Sequence, residues 1–157
     1  METTQTVRLD TEYLMTLYAA MEPPQRIDET LLIFCDTGGW AKGPKIDATV
    51  IQPAADWISA LPNGSSRIDV RLTLKTDDGA LIYVCYNGVI RHTQASRERL
   101  LKGEIITSND SYGMITPTFR TSHAKYAWLN ATQAIGKVVE LKLGEGSFIK
   151  YDVFAVK

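Results

Sequence analysis

Asp56 and Trp57 stand side by side, with Pro53 before them and the Pro62-Asn63-Gly64 turn after them. A carboxylate held against an indole at the rim of a fold loses part of its hydration, and desolvation raises a carboxyl pKa toward neutrality. Such a group can give or take a proton next to a carbonyl, which makes Asp56 a candidate general acid or base. Trp57 would then wall the pocket. The competing reading is that Asp56 caps a turn and Trp57 fills the core.

A second constellation is Asp69 and Arg71, two positions apart on one strand face. Inside a closed fold the arginine would have to be paired, and its planar fork would suit a carboxylate or an enolate. Outside, the two make an ordinary solvated face. The third constellation is Tyr126, Trp128 and Asn130, which offers a phenol, an indole and an amide within five residues. Together these could stack on a flat ligand and bond its polar edge, or the segment could simply plug an opening with two aromatic anchors. Tyr83 and Tyr86 fall on opposite faces of their strand, so one at most faces inward, and Tyr83 is carried as a ligand-contact candidate. In the catalytic reading Asp56 moves the proton, and Arg71 and Asn130 steady oxyanion charge. Trp57, Tyr126 and Trp128 shape the pocket.

Other signals are weaker. Gly38-Gly39 and Gly43-Pro44 bracket Lys42, but a phosphate cradle opens a helix and Ile46 to Ile51 reads as a strand, so a tight turn is expected. His92 and His123 lack Cys or carboxylate neighbours at zinc-like spacing, which argues against a metal site. Ser122-His123 lacks the glycine-flanked elbow of a nucleophile. The expectation is therefore chemistry with no cofactor and no metal.

The elements that must position these groups are strands. Glycine and proline recur roughly every ten residues between stretches rich in Val, Ile, Leu, Thr and Tyr, the pattern of an all-β sandwich or barrel. Strands are predicted near 12–21, 30–36, 45–51, 67–76, 80–90, 112–120, 133–143 and 147–156. The clearest alternates Ile68, Val70, Leu72 and Leu74 against Asp69, Arg71, Thr73 and Lys75. Asp77-Asp78-Gly79 then turns it into the next strand, and Asn63-Gly64 and Gly144-Glu145-Gly146 mark two more turns of a meander. Short helices are predicted from Ser96, as N-cap, to Lys102 and from His123 to Asn130. The expected fold is one all-β domain over residues 1–157, an antiparallel β-barrel of about eight strands with one or two short helices.

Composition narrows the partners. The 157 residues carry 17 Lys and Arg against 18 Asp and Glu, with no long run of like charge, so the footprint of a nucleic-acid binder is missing. At 45% hydrophobic and 22% charged residues, the chain resembles an ordinary soluble domain. Cys35 and Cys85 sit in apolar runs and are expected to be buried free thiols. No stretch is apolar for long enough to span a membrane as a helix, and the start lacks a leader pattern, which sets a cytoplasmic location as the expectation. The expected partner is a small-molecule ligand or substrate, with no nucleic acid and no membrane; a homo-oligomer is left open.

From Tyr13 to Lys157 the chain resembles a family of small β-barrels known as domain of unknown function 3237. The resemblance is carried by Gly38-Gly39-Trp40-Ala41-Lys42-Gly43-Pro44, Ala55-Asp56-Trp57, Asp69-Val70-Arg71, Thr76-Asp77-Asp78-Gly79-Ala80 and Phe119 through Tyr126-Ala127-Trp128-Leu129-Asn130. It implies an antiparallel barrel similar to those of allene oxide cyclases and dirigent proteins, with a ligand entering at the barrel mouth. It implies no agreed reaction; better understood relatives of that barrel steer cyclisations or isomerisations without a cofactor. Where the family has an acidic residue after the Phe119 position, this chain has Arg120. The leading expectation is a cofactor-independent lyase, isomerase or cyclase acting on a small, apolar carbonyl or aromatic metabolite in the lumen. The alternatives are a non-catalytic small-molecule binding barrel and a structural barrel with a filled lumen.

Overall fold

Alternating side chains along β1 (Thr11–Met21), β3 (Leu31–Gly43), β4 (Ile46–Ala60), β5 (Ser65–Thr76), β6 (Leu81–His92), β8 (Ser111–Arg120), β9 (Ala134–Lys142) and β10 (Phe148–Val156) face a common interior in the computed structural model, which describes residues 6–157. Each strand pairs antiparallel with its neighbours in the order β1-β10-β9-β8-β6-β5-β4-β3, and β3 pairs back onto β1. Eight strands therefore close into a barrel, and closure removes the open edges that would invite aggregation. Two-residue strands β2 (Gln25–Arg26) and β7 (Ile106–Thr107) pair with β3 and β9 outside this circuit.

The strand with the cleanest alternation shows how the interior is chosen. Ile68, Val70, Leu72 and Leu74 of β5 are all nearly inaccessible, whereas Arg71 and Lys75 are exposed. Burying four such side chains stabilises the fold by roughly 1.5–3 kcal/mol each, which fixes the face that turns inward. At mid-barrel Ile115 of β8 lies against two glycines. A Cβ on Gly136 would come within 2.6 Å of its Cγ1, and one on Gly88 within 2.8 Å of its Cγ2. Their missing side chains are the room that Ile115 occupies.

Strands β3 and β4 run further than predicted, because Gly38-Gly39 does not turn the chain. The pair lies inside β3, where the register against β4 slips between Cys35 and Trp40 and the register of β4 against β5 slips between Ile51 and Ala55. A Cβ on Gly39 would collide with the Tyr18 carbonyl oxygen of β1, and Gly39 has φ +149°, so only glycine lets β1 and β3 approach here and close the barrel. The turn itself falls at Pro44-Lys45.

The two ends of the barrel are covered differently. Helix α1 (Gln94–Leu101) starts three residues before the predicted N-cap, at Thr93, whose hydroxyl accepts from the Ser96 backbone N–H. It buries Ser96 and Leu100 over one end. At the other end the predicted second helix is a 3-10 segment (Ala124–Ala131), capped by His123, which inserts Tyr126 and Leu129 as a plug. No helix among the described residues is long and apolar enough to cross a membrane.

Candidate functional site

Under α1 the lumen opens into a cavity of about 310 Å³. Its wall is mostly apolar, with Leu32 and Phe34 from β3, Ile58 from β4, Ile90 from β6 and Leu100 from α1 among the contributors. The alternation that brings Ala54 and Ile58 inward also brings Asp56, so a carboxylate is set into this wall at 5% exposure. Its Oδ1 has no hydrogen-bond partner. Burial, and then the nearby charge of Asp36, push its pKa up to about 8.

Asp36 enters the same interior from β3, two residues beyond Phe34, and burial raises its pKa to about 6. Tyr86 of β6 and Tyr151 of β10 meet edge to face there, with ring centroids 5.6 Å apart. Burial holds both phenols well above their usual pKa, so they stay neutral. The Tyr151 hydroxyl, like Asp56 Oδ1, has no partner. Two carboxyls with separated pKa values and two phenols thus share one low-dielectric space. One carboxyl is mostly protonated at neutral pH and the other mostly ionised, an arrangement able to hold an acid and a base at once. Among the described residues no three His, Cys, Asp or Glu side chains are grouped to hold a metal ion.

The other predicted site residues are not gathered here. Trp57 follows Asp56 on the opposite face of β4 and is 38% exposed, so it neither walls the pocket nor fills the core. Arg71 lies 6.0 Å from its ring and 3.7 Å from Asp69, on the solvated outside of β5. The external reading of the Asp69–Arg71 pair is the observed one. Tyr83 is 41% exposed on the outer face of β6, and its neighbour Tyr86 is the lumenal tyrosine. Tyr126 is fully inside the plug end, where its hydroxyl donates to Asp78 at 3.0 Å. Asn130 clamps the strand leaving β8, accepting from the Thr121 N–H at 2.8 Å and donating to the Thr121 carbonyl at 2.9 Å. Trp128 lines a separate cleft of about 300 Å³ at that end, with the Lys45 ammonium 5.3 Å from its ring. Asp56 also caps no turn. Cys35 and Cys85 are free thiols, half-buried rather than buried.

Residues 9–156 match DUF3237, a family described as proteins of unknown function. The chain belongs to the DUF3237 family. A UPF0311 protein of Rhodopseudomonas palustris is 29% identical over 128 residues, covering 79% of this chain and 84% of the relative. The crystal structure of a conserved R. palustris protein of unknown function superposes with a TM-score of 0.87 at 26% identity, over 98% of this chain and all of that one. A beta-barrel like protein of Acinetobacter baumannii gives a TM-score of 0.79 at 28% identity, over 99% of this chain and all of its own. A Penicillium herquei protein described as an enzyme shares the fold at a TM-score of 0.68 and 22% identity, with 98% of each chain covered.

In this DUF3237 barrel, Arg120 lies opposite Tyr83 on the outer surface, so the charge at that position stands outside the lumen. The lumenal polar groups that sequence reasoning passed over are Asp36 and Tyr151, with Arg97 at the cavity mouth; Tyr86 is weighed there against Tyr83 without being chosen, and His92 only as a metal ligand. Asp36, Tyr86 and Tyr151 carry one signal. Each stands in phase with apolar neighbours two residues away, Asp36 with Phe34, Tyr86 with Val84 and Tyr151 with Ile149 and Val153, so each faces inward.

Proposed function

We propose that the cavity beneath α1 is an acid–base site for cofactor-independent isomerisation, elimination or cyclisation of a small, largely apolar carbonyl or aromatic compound, with Asp56 moving the proton. One observation carries this reading: the Asp56 carboxyl is set in the cavity wall, desolvated and with Oδ1 unpartnered. A purely structural buried carboxyl is normally paired, because an unpaired one costs stability. Ionised Asp56 would take a proton from the carbon next to a carbonyl, leaving an enolate. Protonated Asp56 would then return that proton to the same or a conjugated carbon. Asp36, Tyr86 and Tyr151 are positioning residues that set the Asp56 pKa through burial and charge. With a pKa of about 8, roughly a tenth of Asp56 is ionised at pH 7, and the base form grows as pH rises to that value.

The test uses 1-tetralone, a flat apolar ketone with an enolisable carbon, in deuterated buffer. Wild-type protein is expected to accelerate exchange at that carbon, with a rate that climbs toward pH 8 and then levels. Asp56→Asn should lower the rate by about 10²- to 10⁴-fold, the usual range for a lost general base. Tetralone affinity should change little, because the apolar wall stays. Tetralone that binds but exchanges no faster than in buffer would favour a carrier barrel instead, and full exchange in folded Asp56→Asn would remove Asp56 from the chemistry.

A further inference from the structure

The same cavity carries a cation, Arg97, at its mouth and the desolvated Asp56 carboxyl in its wall. Arg97 of α1 lines the opening and reaches across to the β4–β5 turn, donating from Nη2 to the Gly64 carbonyl at 2.9 Å and to the His92 carbonyl at 3.3 Å. Gly64 has φ +80°, and a Cβ there would lie 2.8 Å from the same nitrogen, so the glycine serves both the turn and the arginine. Both contacts use one nitrogen and both go to neutral carbonyls. No carboxylate among the described residues pairs with Arg97, whereas Arg99 on the same helix is paired with Glu104 and Asp110 at 2.9 Å each. Asp56 and His92 are the only other ionisable side chains around the cavity among the described residues. Burial and the Arg97 charge lower the His92 pKa, which favours its neutral form. Its Nδ1 is buried without a partner.

The geometry points to a ligand that is apolar in the middle and anionic at its outer end: a ring or short chain bearing a carboxylate that meets Arg97 at the mouth while its reactive part lies by Asp56. This deepens the acid–base reading of the same cavity and rests on it for the role of the inner end. An arginine fork presents parallel N–H donors that match a carboxylate, and the guanidinium atoms not used on Gly64 and His92 remain available for it. The groups behind the wall reinforce the direction of entry. Asp36 does not line the cavity but lies near enough to Asp56 to raise its pKa, and its negative charge disfavours an anion at the inner end, so the carboxylate is left at the mouth. The apolar wall, including Leu101 at 87% exposure beside the opening, would cover the ligand's middle.

The experiment compares 2-naphthoate with its neutral, near-isosteric amide, 2-naphthamide, by titration calorimetry at pH 7 and low salt. Naphthoate is expected to bind roughly tenfold more tightly, the range for a partly exposed, charge-assisted pair, and to lose that advantage as salt is raised. Arg97→Gln should erase the preference while leaving naphthamide affinity near the wild-type value. Arg97→Lys, which keeps the charge if the helix anchor weakens, should retain part of it. Equal affinity for the two probes, or a naphthoate preference that survives in folded Arg97→Gln, would overturn the anionic-ligand inference and leave the acid–base reading standing. If neither probe binds, the anionic-ligand inference falls, and tetralone exchange alone decides the acid–base reading. Tetralone exchange that fails while naphthoate still prefers Arg97 would sink the catalytic reading alone.

Discussion

The two ends of this barrel solve the same problem in opposite ways. At the plug end, Asp78 accepts hydrogen bonds from Thr76, Tyr126 and Lys125, and these contacts hold its carboxyl well below the usual range. Tyr126 and Leu129 fill the opening, and Asn130 ties the segment to Thr121 on both sides of its amide. Beneath α1, by contrast, Asp56 and His92 keep buried atoms without partners in the wall of a mostly apolar cavity, the Tyr151 hydroxyl does so elsewhere in the barrel interior, and Asp36 and Asp56 are held above their usual pKa values. A satisfied polar cluster stabilises; an unsatisfied one costs stability and is kept where function needs it. The difference separates a structural end from the end where the proposed chemistry would lie, and each variant below is chosen to break or sharpen that division.

The largest effect is expected at the plug. Tyr126→Ala removes a fully buried ring and leaves Asp78 without one donor, so a loss of about 3–5 kcal/mol in denaturant unfolding is expected. Tyr126→Phe keeps the ring and removes only the hydroxyl, which should cost about 1–2 kcal/mol. Leu100→Ala on α1 should cost less than Tyr126→Ala, since a short helix bordering a cavity can open locally without unfolding the barrel. Equal losses at the two ends would erase the division.

The plug was the more legible end in the sequence, which offered it both as a ligand site and as a plug, and the plug is the arrangement observed for Tyr126. Tyr126, Trp128 and Asn130 attract attention because aromatic and amide groups cluster along the chain, yet the clustering reflects a segment that must seal an opening within eight residues. The candidate site is assembled across the barrel from β3, β4, β6 and β10, so its residues are far apart in sequence and none stands beside another. The strand pattern and the closed barrel were readable from alternation. The inward phase of Asp56 was readable too, from Ala54 and Ile58. What local sequence does not carry is how β3 continues through Gly38-Gly39, because that depends on the collision with Tyr18 of β1, and with it the common interior of Asp36 and Asp56.

The next effect is smaller and lies in pH dependence. Asp36 and Asp56 have folded pKa values of about 6 and about 8 against an ordinary 3.8, so between roughly pH 4 and 8 the folded state binds more protons than the unfolded chain. Stability must then fall as pH rises through that window, because the folded state pays progressively to ionise them. Asp78 and Asp110 work the other way: their pKa values are lowered, and the stability they contribute is lost only as pH falls through the acidic range. His92, whose pKa is lowered, also opposes the trend just below the ordinary histidine value of 6.5. The difference between wild type and Asp56→Asn isolates the lumenal carboxyl. The thermal midpoint of the variant should gain on wild type steadily from pH 5 to 8, whereas a constant offset would mean that Asp56 is not desolvated.

The smallest effect is expected on the outer wall, and it tests whether the reactive chemistry is confined to the lumen. Arg71 stands outside, its side chain 57% exposed, between the Trp57 ring and the Asp69 carboxylate. An exposed ion pair and an exposed cation over an aromatic ring each contribute at most about 1 kcal/mol, and salt screens the ion pair. Arg71→Ala should therefore shift stability by less than about 1 kcal/mol, and tetralone exchange should stay within about twofold, since that stability change moves neither Asp56 nor the cavity wall. Asn130→Ala is the matched control at the plug. It breaks both bonds to Thr121 and should lower the thermal midpoint while leaving exchange per folded molecule unchanged. A tenfold or larger fall in exchange for folded Arg71→Ala would mean that charge outside β5 stabilises the lumenal enolate through the barrel wall. The contrast between a structural end and a reactive end would then have to give way to one between the β4–β5 side of the barrel and the rest, with Trp57 and Asp69 restored to the site.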